Sequence, residues 1–148
     1  MRHENLTVET GLIELDVNGK RTIQLNPSDT GFVETLYGLV SKLDSIHTEA
    51  GKAAQAEEDP VKRFDITRTE DKQMREAVDD VFGAGFCADV FPGIRLFALA
   101  DGLTVVENFL YALLDKMDED ITANVAKRDA RIAKYTDKYS KYRKKYHN

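Results

Sequence analysis

The chain has 148 residues, of which 42% are apolar, 9% aromatic and 32% charged, a composition that fits one soluble domain with its own core and excludes a collagen-like or wholly disordered chain. Cys87 is the single cysteine and no run approaches the roughly 18 apolar residues of a membrane span, which argues against a secreted disulfide scaffold and a membrane protein. The net charge of −5 hides a division: residues 127–148 carry nine Lys/Arg against two Asp, and residues 1–126 carry 12 against 24 acids.

The first ten residues, MRHENLTVET, lack the apolar core of a secretory leader, so a cytoplasmic location is expected. Leu12, Ile13, Leu15 and Val17 precede Asn18-Gly19, and Ile23 and Leu25 alternate with polar residues beyond it. This predicts a β-hairpin with a two-residue turn, because both central positions need positive φ. Asn26-Pro27-Ser28-Asp29 can cap a helix whose apolar face is Phe32, Leu36, Leu39, Val40, Leu43 and Ile46, with His47 at its end as a locally bonded residue rather than a catalytic base. Thr48 to Asp59 read as either an exposed helical extension or a mobile connection, ended by Asp59-Pro60.

A second helix is predicted to start near Thr67 or Thr69, with Glu70 and Asp71 at the positive end of its dipole, and to stop at Gly83 and Gly85. Phe86 to Phe91 form a short apolar turn or two, in which Cys87 reads as a small core residue. Leu96 through Leu114 has the highest apolar density, interrupted by a break or cap at Asp101-Gly102. From Leu110 the positions Leu114, Met117, Ile121, Val125, Arg128, Ile132, Tyr135, Tyr139, Tyr142 and Tyr146 step by three or four, so one stripe can run to the end of the chain. As a single helix, Leu103 to Tyr146 would extend about 66 Å, against roughly 40 Å for the diameter of a compact chain of this length. Either that helix breaks near Asp118-Glu119-Asp120, or its end projects; the stripe could alternatively fold back on its own hairpin or first helix.

The predicted fold is therefore mainly α (α+β), with an N-terminal β-hairpin followed by a helical domain with a long C-terminal helix. One acidic globular domain is expected over 1–126, with the hairpin at about 12–25 and helices at about 28–58, 67–82, 85–91 and 96–126, followed by a basic, Tyr-rich helical extension over 127–148. Chemistry is sparse: His3, His47 and His147 lie far apart, and neither a phosphate-binding glycine loop nor a nucleophile elbow is present. Asp115, Asp118, Glu119 and Asp120 lack the loop glycine of an EF-hand and read as a solvated patch. No enzymatic activity, metal or cofactor is expected. The candidate protein-binding residues are Met117, Ile121, Val125, Ile132, Tyr135, Tyr139, Tyr142 and Tyr146, whose aromatic members offer apolar area with polar rims. Nucleic acid is disfavoured as a partner, since the acidic body repels phosphate.

Three stretches carry a family resemblance: Asn26-Pro27-Ser28-Asp29 with Phe32-Val33-Glu34; Val81-Phe82-Gly83-Ala84-Gly85 with Cys87 and Val90-Phe91; and Leu96-Phe97-Ala98-Leu99-Ala100-Asp101-Gly102-Leu103 with Asn108-Phe109. In this order the chain resembles the small tail assembly chaperones of long-tailed phages and prophages of Firmicutes-type bacteria. The resemblance implies a non-enzymatic role in the host cytoplasm, coating the tape measure protein and recruiting tail tube subunits before leaving the finished particle. Homo-oligomers would be compatible with that role. A virion tail structural or completion protein and a small nucleic-acid-binding regulator are the alternative readings.

Overall fold

In the computed structural model, residues 1–147 are described, with side chains described at all of these except 139 and 142–147. The element order is β1 (Ile13–Val17), β2 (Arg21–Leu25), α1 (Thr30–Ala56), α2 (Pro60–Phe82), α3 (Phe86–Val90), β3 (Leu99–Ala100), β4 (Leu103–Thr104) and α4 (Val105–His147). The architecture is mainly helical, with the N-terminal antiparallel hairpin and the long C-terminal helix that the sequence predicts.

The hairpin turn differs in length from the expected one. Asn18 and Gly19 do adopt positive φ, at 54° and 66°, and Lys20 N–H closes the turn on Val17 C=O at 3.0 Å. Pairing, however, runs Val17↔Arg21, Leu15↔Ile23 and Ile13↔Leu25, so Lys20 is an extra residue outside the ladder. The core sets this register: Ile13, Leu15 and Val17 share the inward face with Ile23 and Leu25, and a two-residue loop would place Thr22 and Gln24 there instead.

Two helix starts move from their predicted positions. Helix α2 begins at Pro60 rather than near residue 67, because proline is pre-set for the first helical position and the Asp59 carboxylate accepts from Val61 N–H at 3.0 Å. Helix α1 continues to Ala56, so most of Thr48 to Asp59 is helical extension. The helix expected from residue 96 begins instead at Val105. Asp101 and Gly102, with φ of 54° and 85°, make the two-residue turn of a miniature hairpin that pairs Ala100 with Leu103 and Leu99 with Thr104. Thr104 and Glu107 then form a reciprocal cap: Glu107 Oε1 accepts from Thr104 N–H at 2.9 Å, and Thr104 Oγ1 accepts from Glu107 N–H at 3.2 Å.

Glu70 and Asp71 lie deep within α2, not in its first turn, and both are buried. Asp71 Oδ2 accepts from Arg75 Nε at 2.8 Å while its Oδ1 accepts from Leu96 N–H at 2.8 Å. The Arg75 guanidinium donates onward to the carbonyls of Cys87 (3.2 Å), Phe91 (2.7 Å) and Ile94. One turn of α2 thereby bonds three carbonyls and one amide of the segment from Cys87 to Leu96. A parallel tie comes from the hairpin, where Arg21 donates to Asp89 Oδ2 at 2.8 Å and to Ala84 C=O at 2.9 Å.

These ties hold an aromatic socket. Phe109 of α4 sits 5.1 Å from Phe82, 5.3 Å from Phe86 and 6.0 Å from Phe91, centroid to centroid, in edge and tilted arrangements. With Val106, Leu110, Leu113 and Met117 it fixes the first turns of α4 to the core.

Replacing Arg75 with Met takes the nearer cation from the buried Asp71 carboxylate, leaving Arg95 at 3.7 Å, and removes a donor from three carbonyls, and should destabilise the protein by about 3 kcal/mol in urea unfolding. The hydrogen bonds from Thr104 hold the Glu107 carboxyl below its ordinary pKa of 4.5, so the cap contributes fully above that value and is lost as pH falls through the lower folded pKa. Thr104→Ala should cost about 1 kcal/mol at neutral pH, read as a drop of roughly 2–4 °C in Tm. Glu107→Gln should flatten the acid limb of stability against pH.

Candidate protein-binding surface

Helix α4 has 43 residues and is one element across Asp118-Glu119-Asp120, where a break was one of the two expectations. At 1.5 Å per residue it extends about 65 Å. Ile121 is its last half-buried residue, and every described side chain from Thr122 onward is exposed. Among the candidate residues, Val125 (51% exposed), Ile132 (45%) and Tyr135 (52%) therefore form an apolar seam on an open helix face, with Ile121 at its inner end. The described part of the stripe does not fold back onto the hairpin or α1.

Met117 requires a correction. It is only 2% exposed and belongs to the core with Leu110 and Leu113, because the stripe is still turned toward the body at that point. Tyr139, Tyr142 and Tyr146 lie outside the described side chains.

Tyr135 sits among cations. The Arg131 guanidinium carbon is 5.8 Å and the Lys138 ammonium 5.6 Å from its ring centroid, and the Tyr135 hydroxyl accepts from Arg131 at 3.4 Å. The hydrogen bond from Arg131, with the nearby positive charges, lowers the phenol pKa from its ordinary value. A ring presented this way offers an apolar face bordered by positive charge, suited to an amphipathic helix with acidic flanks.

Two grooves flank the start of α4. On the hairpin side a cavity of about 450 Å³ is lined by Leu15, Val17, Ile23, Phe109, Ala112 and Lys116, and the helix face it borders continues into Glu119, Ala123 and Lys127. On the α1 side a larger groove of about 670 Å³ lies between Tyr37, Val40 and Leu43 of α1 and Glu107, Tyr111 and Leu114 of α4. Glu107, Tyr111 and Leu114 step by three or four into Asp118, Ile121 and Val125, so this groove and the exposed seam occupy one side of the same helix. Tyr37 and Tyr111 were not among the residues singled out by sequence, and Val40, expected on the apolar face of α1, is 40% exposed at the rim of this groove. Tyr37 and Tyr111 lie one position beyond the buried Leu36 and Leu110, and only the gap between the two helices leaves them open.

His47 is not at a helix end but within α1, and its Nδ1 lies 2.6 Å from Oε1 of the buried Glu70 on α2, a cross-helix tie. Cys87 is buried, and desolvation with the adjacent Asp79 carboxylate pushes its thiol up to about 12. Among the described residues no group of three or more His, Cys, Asp or Glu could hold a metal ion, and no helix is long and apolar enough to cross a membrane. Lys116 and Asp120 pair at 3.2 Å within the acidic stretch. The chain matches no family model, no curated protein and no solved structure.

Cys87 should not react with a disulfide reagent at pH 8 while the protein is folded, and should react stoichiometrically once it is unfolded in guanidinium; following thionitrobenzoate release measures both.

Proposed function

We propose that this protein is a non-enzymatic tail assembly chaperone of a long-tailed phage or prophage, acting in the host cytoplasm by holding the tape measure protein and bringing tail tube subunits to it. The observation that carries this reading is the seam Val125–Ile132–Tyr135, presented on a helix that leaves its own core behind. An exposed apolar face of this kind is a cost to a solitary protein and an asset to one that grips another helix. The resemblance of the Asn26–Phe109 motifs to that chaperone family supplies the client class. A tape measure protein, long and amphipathic, exposes the complementary apolar face during assembly. Lysines and arginines around the seam keep it in solution before it is covered, and the acidic body would give the coated client a repulsive outer surface.

The test is co-purification with the tape measure protein of the same phage. Full-length chain should retain it and a chain ending at Asp120 should not; equal capture by both would remove the seam from the mechanism. Replacing Val125, Ile132 and Tyr135 with Ser should weaken capture at least tenfold, since each buried apolar side chain contributes about 1.5–3 kcal/mol. Mass spectrometry of finished particles should find the chain absent, whereas a permanent tail component would be present.

A further inference from the structure

We propose that two copies of this chain associate as a closed antiparallel pair through α4, the exposed seam of each copy lying in the groove between α1 and α4 of the other. The inference concerns only copies of this chain and holds whatever client the seam accepts.

Three observations converge on a second copy as occupant. The first is dimension. The groove is lined from Leu36 to His47 on α1, about 16 Å of helix, and the seam from Val125 to Tyr135 covers about 15 Å. The second is connectivity. Helix α4 forms one wall of the groove and carries the seam on the same side of one uninterrupted element, so a copy cannot turn its seam into its own groove. The third is charge. The inner part of α4, residues 105–126, carries Glu107, Asp115, Asp118, Glu119 and Asp120 against Lys116 alone, whereas residues 127–148 carry nine Lys/Arg against two Asp.

Direction follows from the charges. Parallel helices would set basic end against basic end and acidic start against acidic start. Antiparallel helices bring the stretch from Lys127 to Lys134 level with residues 108–115 of the other copy, beside its Glu107 and Asp115. Centring the seam on the groove places the two-fold axis near Ile121, the point where side chains pass from half-buried to exposed. The contact is isologous and therefore closes at two copies rather than growing. It would cover Val125, Ile132 and Tyr135 of each chain together with Tyr37, Val40 and Tyr111, all exposed in the single copy.

The test is charge reversal on the full chain, read by sedimentation. The native protein should be a dimer at micromolar concentration. Reversing Lys127, Arg128, Arg131 and Lys134 to Glu should give a monomer, and so should reversing Asp115, Asp118 and Glu119 to Lys. An equimolar mixture of the two variants should restore a dimer, a result that misfolded chains could not produce. Ile121→Cys should cross-link to itself on oxidation, and a mixture of Tyr111→Cys and Ile132→Cys should cross-link to each other. A monomeric native protein, failure of the mixture to associate, or self-linking of Ile132→Cys as efficient as that of Ile121→Cys would overturn the proposal.

Discussion

The ion pair between Asp71 and Arg75 is the interaction on which the remaining architecture depends. Residues 83–98 contain three glycines, a proline and only one turn-and-a-half of helix, so their backbone has little capacity to satisfy itself. Asp71 takes the Leu96 amide while Arg75 takes three carbonyls, and this converts an irregular segment into a rigid floor. Burying such a pair stabilises little by itself; its value lies in allowing few alternative arrangements. Phe86, Phe91 and Leu96, held by that floor, line the space into which Phe109 and Val106 insert. The start of α4 is thus positioned by polar groups on a different helix.

From that anchorage α4 changes character without changing conformation. Its first turns have Leu110, Leu113 and Met117 in the core, the middle is acidic, and the end is basic with an apolar seam. Continuity of the 3.6-residue repeat means that core contact, groove wall and open seam follow one another along one element. A helix of this composition gains nothing from extending into water as an isolated rod, since tertiary contact supplies most helical stability. A protein partner for its outer half, the client or the second copy proposed above, would account for the arrangement of its apolar residues.

Much of the fold was legible because local chemistry agreed with global structure. Asn18-Gly19 forecast the hairpin, Asp29 the start of α1, Gly83 and Gly85 the end of α2, and the stepped apolar positions the long final helix. The lengths at issue were lost where one signal admitted two readings. Proline at position 60 stops a helix approached from its amino side and starts one approached from its carboxy side, and α2 uses the second property. Asp101-Gly102 carries the same turn chemistry as Asn18-Gly19 but reads equally as a helix break or cap, and Thr104-x-x-Glu107 spells a reciprocal cap inside the apolar density around it. Met117 shows a different limit: spacing tells which side of a helix a residue occupies, not where along its length the body ends. The groove residues Tyr37 and Tyr111 could be found only in three dimensions, since the separation of α1 from α4 is written in no local pattern.

The socket around Phe109 also has a mechanical meaning. Between it and Tyr135 lie about 39 Å of helix, so a tilt of about 10° at the anchorage would sweep the outer aromatic through roughly 7 Å. Any rearrangement of Phe82, Phe86 and Phe91 would be amplified in this way, as motion at a fulcrum is along a lever. The fit of four rings in the interior consequently sets the direction in which the far end of the helix points.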